Sequence, residues 1–271
     1  MDVQTALQTV QRDFPFEGYI RRKKTYFNIA RTVLKWLRPG AKILDFGAGP
    51  CDKAAVVSLL GFECTACDDL QDDWHKMKDN KERIFAFAQK FGIRHKVIKG
   101  SQLPFEKGEF DMVMMHDVLE HLHNSPRDLL NDLLELAKPE GLLFLTVPNA
   151  VNLRKRIAVA FGKTNLPCFE SYYWHPGLWW RGHIREYVKG DLIKLTNYLK
   201  LDILELRSCH HMIEAQPFLV RLLFSAVTNV FTSWRDSWML VARKKPGWKP
   251  RKSLPEDEAT QILRHFTTYQ Y

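Results

Sequence analysis

Lys42-Ile43-Leu44-Asp45-Phe46-Gly47-Ala48-Gly49-Pro50-Cys51-Asp52 decides how this chain is read. The apolar pair Ile43-Leu44 leads into an acid, two glycines break the run, and a helical pattern begins near Asp52. That order is strand, glycine turn, helix. Glycine removes the Cβ that would hold the backbone away from whatever sits at the strand end. The helix start then offers free N–H groups to polar ligand atoms. Such a corner cradles nucleotides in α/β sheets.

Outward from this corner, strands and helices alternate. Apolar runs predict strands at 62–67, 94–98, 110–115, 141–147, 202–207 and 238–244, and helical spacing predicts helices at 52–60, 80–91, 126–138 and 188–199. Alternation of this kind implies an α/β fold, a parallel sheet with helices on both faces. Residues 1–40 read as an N-terminal helical extension, with Tyr26, Ile29, Val33, Leu34 and Leu37 as its stripe and Arg21-Arg22-Lys23-Lys24 as a basic cluster. The main domain is expected over 41–244. Inserts interrupt it at about 150–187 and 208–235, and 245–271 reads as a tail with a short helix near 257–266.

The bulk composition, 45% hydrophobic and 26% charged, is that of an ordinary globular protein and excludes disorder. A net charge of +9 suits an anionic partner, such as a phosphorylated substrate, an acidic glycan, a membrane surface or nucleic acid, or a soluble basic surface alone. Cys64 and Cys67 spell C-x-x-C, but inside an apolar strand-like run, which points to buried structural thiols. The polar start, the cysteine usage and the lack of any membrane-length apolar stretch predict a reducing, cytoplasmic setting.

Asp45-Phe46-Gly47-Ala48-Gly49 resembles the first motif of class I S-adenosylmethionine-dependent methyltransferases, with Cys51 where a third glycine often stands. Later features keep the family's order: Asp68 closing the second strand, Leu103-Pro104-Phe105 with Phe110-Asp111-Met112-Val113, Val118-Leu119-Glu120-His121, and Pro139-Glu140-Gly141 before an apolar strand. The resemblance implies a Rossmann-like, seven-stranded, mostly parallel sheet with a reversed edge strand and inserts after strand five and between strands six and seven. It also implies S-adenosylmethionine as cofactor. Gly47, Ala48 and Gly49 then face its methionine part, Asp45 orients the loop or the amino group, Asp68 and Asp69 hold the ribose, Ser101 and Gln102 flank the adenine, and His116 lies under the methionine.

Asp117, Glu120 and His121 fall at i, i+3 and i+4 and are expected on one helix face. His121 is a candidate general base for an acceptor hydroxyl. Quinone-ring O-methyltransferases in this superfamily hold a metal with a similar E-x-x-E-H stretch. Here the shorter Asp117 replaces the first Glu, and no metal is assigned. A helix start with a capping Asp117 is the third reading.

The insert after strand five mixes aromatic rings, which stack on sugars or bases, with arginines, which fork onto phosphate or carboxylate. Asn149, Arg154, Tyr173, Trp180, Arg181 and Arg185 are its candidate acceptor contacts, and His183 is a second candidate base. The alternative is a lid packing its aromatics, Trp179 among them, on the core. An amphipathic helix at 218–231 offers its stripe to a membrane, to a second copy or to the domain itself. The functional expectation is O-methylation of a small-molecule or glycan-like acceptor, with RNA methylation and a non-catalytic binding role as rivals. The oligomeric state is not legible.

Overall fold

The computed structural model describes residues 1–16, 23–100, 102–164, 166–175, 177, 180–211 and 213–268, and in it the run at 42–46 is a central strand, buried at every position after Lys42. In chain order the elements are α1 (Val3–Asp13), α2 (Lys23–Trp36), β1 (Lys42–Phe46), α3 (Asp52–Leu59), β2 (Glu63–Asp68), α4 (Asp73–Lys76), α5 (Asn80–Lys90), β3 (Arg94–Val97) and β4 (Phe110–His116). They continue with α6 (Pro126–Leu136), β5 (Ala137–Pro148), α7 (Leu153–Ala160), α8 (Phe169–Tyr173), α9 (Lys189–Tyr198), β6 (Leu201–Cys209), α10 (Phe218–Val230), β7 (Ser237–Lys244) and α11 (Glu256–Thr268). Arg21, Arg22, Ser101 and Trp179 lie outside the described residues.

The seven strands form one sheet in the order β3-β2-β1-β4-β5-β7-β6. Strands β1 to β5 pair in parallel, and β7 runs against both β5 and β6. The reversed strand is present as the family resemblance implies, but it lies one place in from the edge expected for it. The physical reason is burial. Nearly every residue of β7 is buried, which suits a strand flanked on both sides, whereas Asp202 and Ile203 of β6 are exposed and suit the edge.

Neighbouring residues of a strand face opposite sides of the sheet. Ile43 therefore joins the core under α1, α2, α3 and α5, and Leu44 joins the core under α6 and α9. The N-terminal helices are part of the first core, with Leu7, Val10, Ile29 and Val33 buried beside the sheet. The same alternation separates Cys64 from Cys67, which lie in different cores as free, buried thiols with raised pKa values. Neither a disulfide nor a shared metal site is built there.

The insert after β5 is not loop throughout. Asn152 caps α7 by accepting the Lys155 N–H, and α8 follows. Helical spacing did not announce α7 because only Leu153 of its residues is buried, so no inward stripe exists.

Candidate cofactor cleft and acceptor site

The strand order reverses direction at β1 and β4, so a crevice opens at their carboxyl ends. The glycine bend sits there. Gly47 and Ala48 donate their N–H groups to the Cys67 carbonyl, at 2.8 and 3.3 Å, hanging the bend on the end of β2. Gly47 has a φ of +69°, and a Cβ there would lie 2.4 Å from Val118 Cγ2. Gly49 has a φ of +50° and open space where a Cβ would stand. Cys51 also takes the left-handed conformation, φ 64°, at the position where the third glycine is common.

Asp68 closes β2 and faces the bend. Its Oδ2 accepts the Gly49 N–H at 2.8 Å and its Oδ1 accepts the Leu70 N–H at 2.7 Å. Each oxygen keeps a second lone pair for a hydroxyl donor. Asp45 is 2% exposed, its Oδ2 has no hydrogen-bond partner, and burial pushes its pKa up to about 7 against the pull of Lys53. His116 is buried edge-on to Phe144, with Nδ1 3.1 Å from Thr146 Oγ1. Burial pushes its pKa down to about 3, so the imidazole is neutral. Gln102 is exposed.

These residues fit S-adenosylmethionine. Space is open at Gly49, a carboxylate with an unpartnered oxygen stands beside the bend, and an acid closes the neighbouring strand. Asp69 is drawn elsewhere. It pairs with Arg181 at 3.4 Å, while Arg181 also holds Asp72 at 2.7 Å. The insert thereby crosses to the loop after β2.

The turn after β4 builds the second half of the site. Val118 packs on Gly47, and a 3-10 turn follows at Leu119–His121. The Glu120 carbonyl accepts the N–H groups of Ile184 (2.7 Å) and Arg185 (3.2 Å). His121 Nδ1 lies 2.8 Å from the Arg181 carbonyl. This stitching carries His183 to the turn, although 61 residues of chain intervene. The Nε2 atoms of His121 and His183 then lie 4.0 and 3.9 Å from Glu120 Oε1, too far for hydrogen bonds.

Glu120 is fully buried and both its carboxyl oxygens lack partners. Burial, reinforced by Asp117, pushes its pKa up to about 9. Burial also lowers His121, so that imidazole is neutral near pH 7 and able to accept a proton. His183 Nδ1 is held 2.8 Å from Glu186, whose carboxylate also pairs with Lys155. Burial alone raises a carboxyl such as Glu186, but its bonds to His183 and Lys155 hold it below the usual range. Each histidine thus has Nδ1 anchored and Nε2 turned toward Glu120. Glu120, His121 and His183 each offer a ligand atom within 4.8 Å of the others.

Asp117 does not join them, which corrects the shared helix face expected from its spacing. Its φ of 58° places it before the turn rather than on a helix. Its carboxylate accepts from Thr146 Oγ1 at 3.2 Å and lies 3.9 Å from His211. Burial opposes its ionisation, but His211 and Lys53 hold its pKa low.

The acceptor contacts expected in the insert divide. Arg154, Trp180 and His183 line a cavity of about 330 Å³ with Lys155, Leu166 and Glu186. Arg181 is the bridge to Asp69 and Asp72, and Arg185 pairs with Asp191 at 3.6 Å. Tyr173 is exposed against Phe169 and Trp174. Asn149 is corrected to a structural role. It is fully buried, its amide donates to the Ser233 and Arg235 carbonyls, and its Oδ1 accepts the Val151 N–H. The sequence reading missed Glu186 and His211. Glu186 follows His183 by three residues, the only signal available, and His211 reaches Asp117 through tertiary structure alone.

A family model described as a methyltransferase domain matches residues 19–194. Over 122 residues the chain is 32% identical to a ubiquinone biosynthesis O-methyltransferase of Rickettsia prowazekii, covering 45% of this chain and 44% of that one. The chain therefore spans under half the length of this curated relative. A SAM-dependent methyltransferase from Methanosarcina mazei has a similar fold, with a TM-score of 0.56 and 14% identity over 79% of this chain and 97% of that one. A [4+2]-cyclase is also similar, with a TM-score of 0.54 and 15% identity over 82% of this chain and 80% of that one. Likeness of fold does not fix the reaction.

Proposed function

This chain belongs to the methyltransferase-domain family, and from that premise we propose that it moves a methyl group from S-adenosylmethionine to a hydroxyl oxygen of a small-molecule or glycan-like, anionic acceptor. The observation that carries this reading is the adjacency of two half-sites. Val118 packs against the glycine bend, and two residues later Glu120 faces two imidazoles.

S-adenosylmethionine supplies a methyl already activated on a sulfonium, which leaves the protein mostly the task of alignment. Gly47, Gly49 and Asp45 hold the methionine part, and Asp68 takes the ribose hydroxyls. Arg154 at the cavity supplies positive charge for an anionic acceptor, while Lys155 is paired with Glu186. S-adenosylmethionine held there would supply its methyl group to the acceptor oxygen. The acceptor's proton passes to Nε2 of His121 or His183. The products are the methyl ether and S-adenosylhomocysteine. The O-methyltransferase name of the Rickettsia relative supports an oxygen acceptor.

A divalent cation at Glu120, His121 and His183 is a second reading. It is favoured by the two unpartnered Glu120 oxygens and by the anchored Nδ1 atoms, an arrangement that orients metal-binding imidazoles. Titration calorimetry with manganese or zinc on the parent and on His183→Ala separates the readings.

Incubation with methyl-labelled S-adenosylmethionine and panels of phenols, saccharides and RNA tests the proposal. Label in a phenol or saccharide ether supports it. Label in RNA, with steeply salt-dependent binding, moves the acceptor to nucleic acid. Failure to form S-adenosylhomocysteine with any extract favours the non-catalytic rival.

A further inference from the structure

The two inserts leave the sheet at one place. Pro148, at the end of β5, and Cys209, at the end of β6, both pair with Ser237, the first residue of β7. They meet again at Trp234. Phe231 stacks on its ring at 4.5 Å, and the Arg156 guanidinium of the other insert lies 5.1 Å from it.

Both inserts carry apolar side chains outward. On α10 and its end, Phe218, Leu219, Leu222, Leu223, Val230 and Phe231 are each at least half exposed, and Thr228 alone is buried within the helix. On α7 and its end, Ile157, Val159 and Phe161 are exposed too, Phe161 at 78%. Scattered exposed leucines need no explanation, but a run of this length on one helix does.

The charge along the two exposed segments has one sign. Residues 215–235, between Glu214 and Asp236, contain Arg221 and Arg235 and no acid, and residues 151–168 contain Arg154, Arg156 and Lys163 and no acid, besides Lys155, which is paired with Glu186. A second copy docking face to face sets these cations against their own images, which opposes association. An anionic lipid surface neutralises them while taking up the apolar side chains. α10 has 13 residues, and no helix among the described residues is long and apolar enough to cross a membrane, so the fit is to the bilayer interface.

We propose that α10 and the α7 end dock this protein on anionic lipid bilayers, with the apolar stripe in the headgroup boundary and the arginines and Lys163 on lipid phosphates. This goes beyond the methyl-transfer reading and does not depend on it.

Co-sedimentation of the full chain with phosphatidylcholine vesicles, with and without phosphatidylglycerol, tests it. The expected result is binding to the mixed vesicles that weakens with added salt and falls at least about tenfold in the double variant Leu219→Glu/Leu223→Glu. That variant should keep the parent's circular dichroism, since both positions are exposed. No binding to the mixed vesicles at low salt overturns the proposal, as does equal binding by the folded variant. Light scattering that shows a dimer which the double variant splits also overturns it, because a second copy then covers the face.

Discussion

The Asp68 carboxylate accepts the backbone N–H of Gly49 at 2.8 Å, so the acid that ends β2 is tied directly to the bend that follows β1. The other oxygen holds the Leu70 N–H at 2.7 Å. A side chain that fixes two loops at the mouth of a crevice presents a ready-made edge to a ligand spanning them, and its loss is felt before any ligand arrives.

Asp68→Ala leaves two largely buried N–H groups without acceptors, at about 1–3 kcal/mol each. Urea unfolding without cofactor should show a loss of about 2 kcal/mol or more for Ala, and a smaller loss for Asp68→Asn, which keeps one acceptor oxygen. Equal midpoints for all three chains contradict this.

Asp45 makes stability depend on pH. Below about pH 4 the folded and unfolded chains both hold its proton. Between the ordinary value of 3.8 and about 7 the unfolded chain releases it while the folded chain keeps it, so stability from this group is lost as pH rises. The slope is at most about 1.4 kcal/mol per pH unit. Asp45→Asn removes it, so relative to the parent the variant gains stability progressively from about pH 4 to about pH 7. Parallel unfolding profiles contradict the assignment.

Whichever of His121 and His183 accepts the proton, its replacement by Ala should lower kcat by about 10²- to 10⁴-fold while cofactor affinity stays near the parent's, because neither imidazole touches the glycine bend. Stopped assays paired with calorimetry check this. A variant that loses cofactor binding and turnover together contradicts the separation of the two half-sites.

Arg181 pairs with Asp69 and Asp72 in partly exposed bridges, each worth under about 1 kcal/mol. Arg181→Ala should therefore leave the unfolding midpoint almost unchanged but speed proteolysis within the insert. A large loss of stability with no change in cleavage is the opposite result.

The meeting of Asp45, the glycine bend and Asp68 at one end of the sheet was legible in the sequence, because they sit at strand ends that periodicity locates. The half of the site in the insert was less so. Spacing put Asp117 with Glu120 and His121, but a left-handed backbone at Asp117 turns it away toward Thr146 and His211. Asn149 looked like an acceptor contact because it follows strand five, where the family resemblance puts the acceptor, yet its amide is spent on the Ser233 and Arg235 carbonyls. Those partners lie more than 80 residues away, beyond the reach of any local pattern.

The central claim is that one sulfonium nucleoside lies between the bend and Asp68. Titration calorimetry with S-adenosylmethionine tests it most directly. The account predicts one saturable site on the parent, weakened about tenfold or more in Asp68→Asn. A flat titration of the folded parent, or equal affinity in the variant, contradicts it.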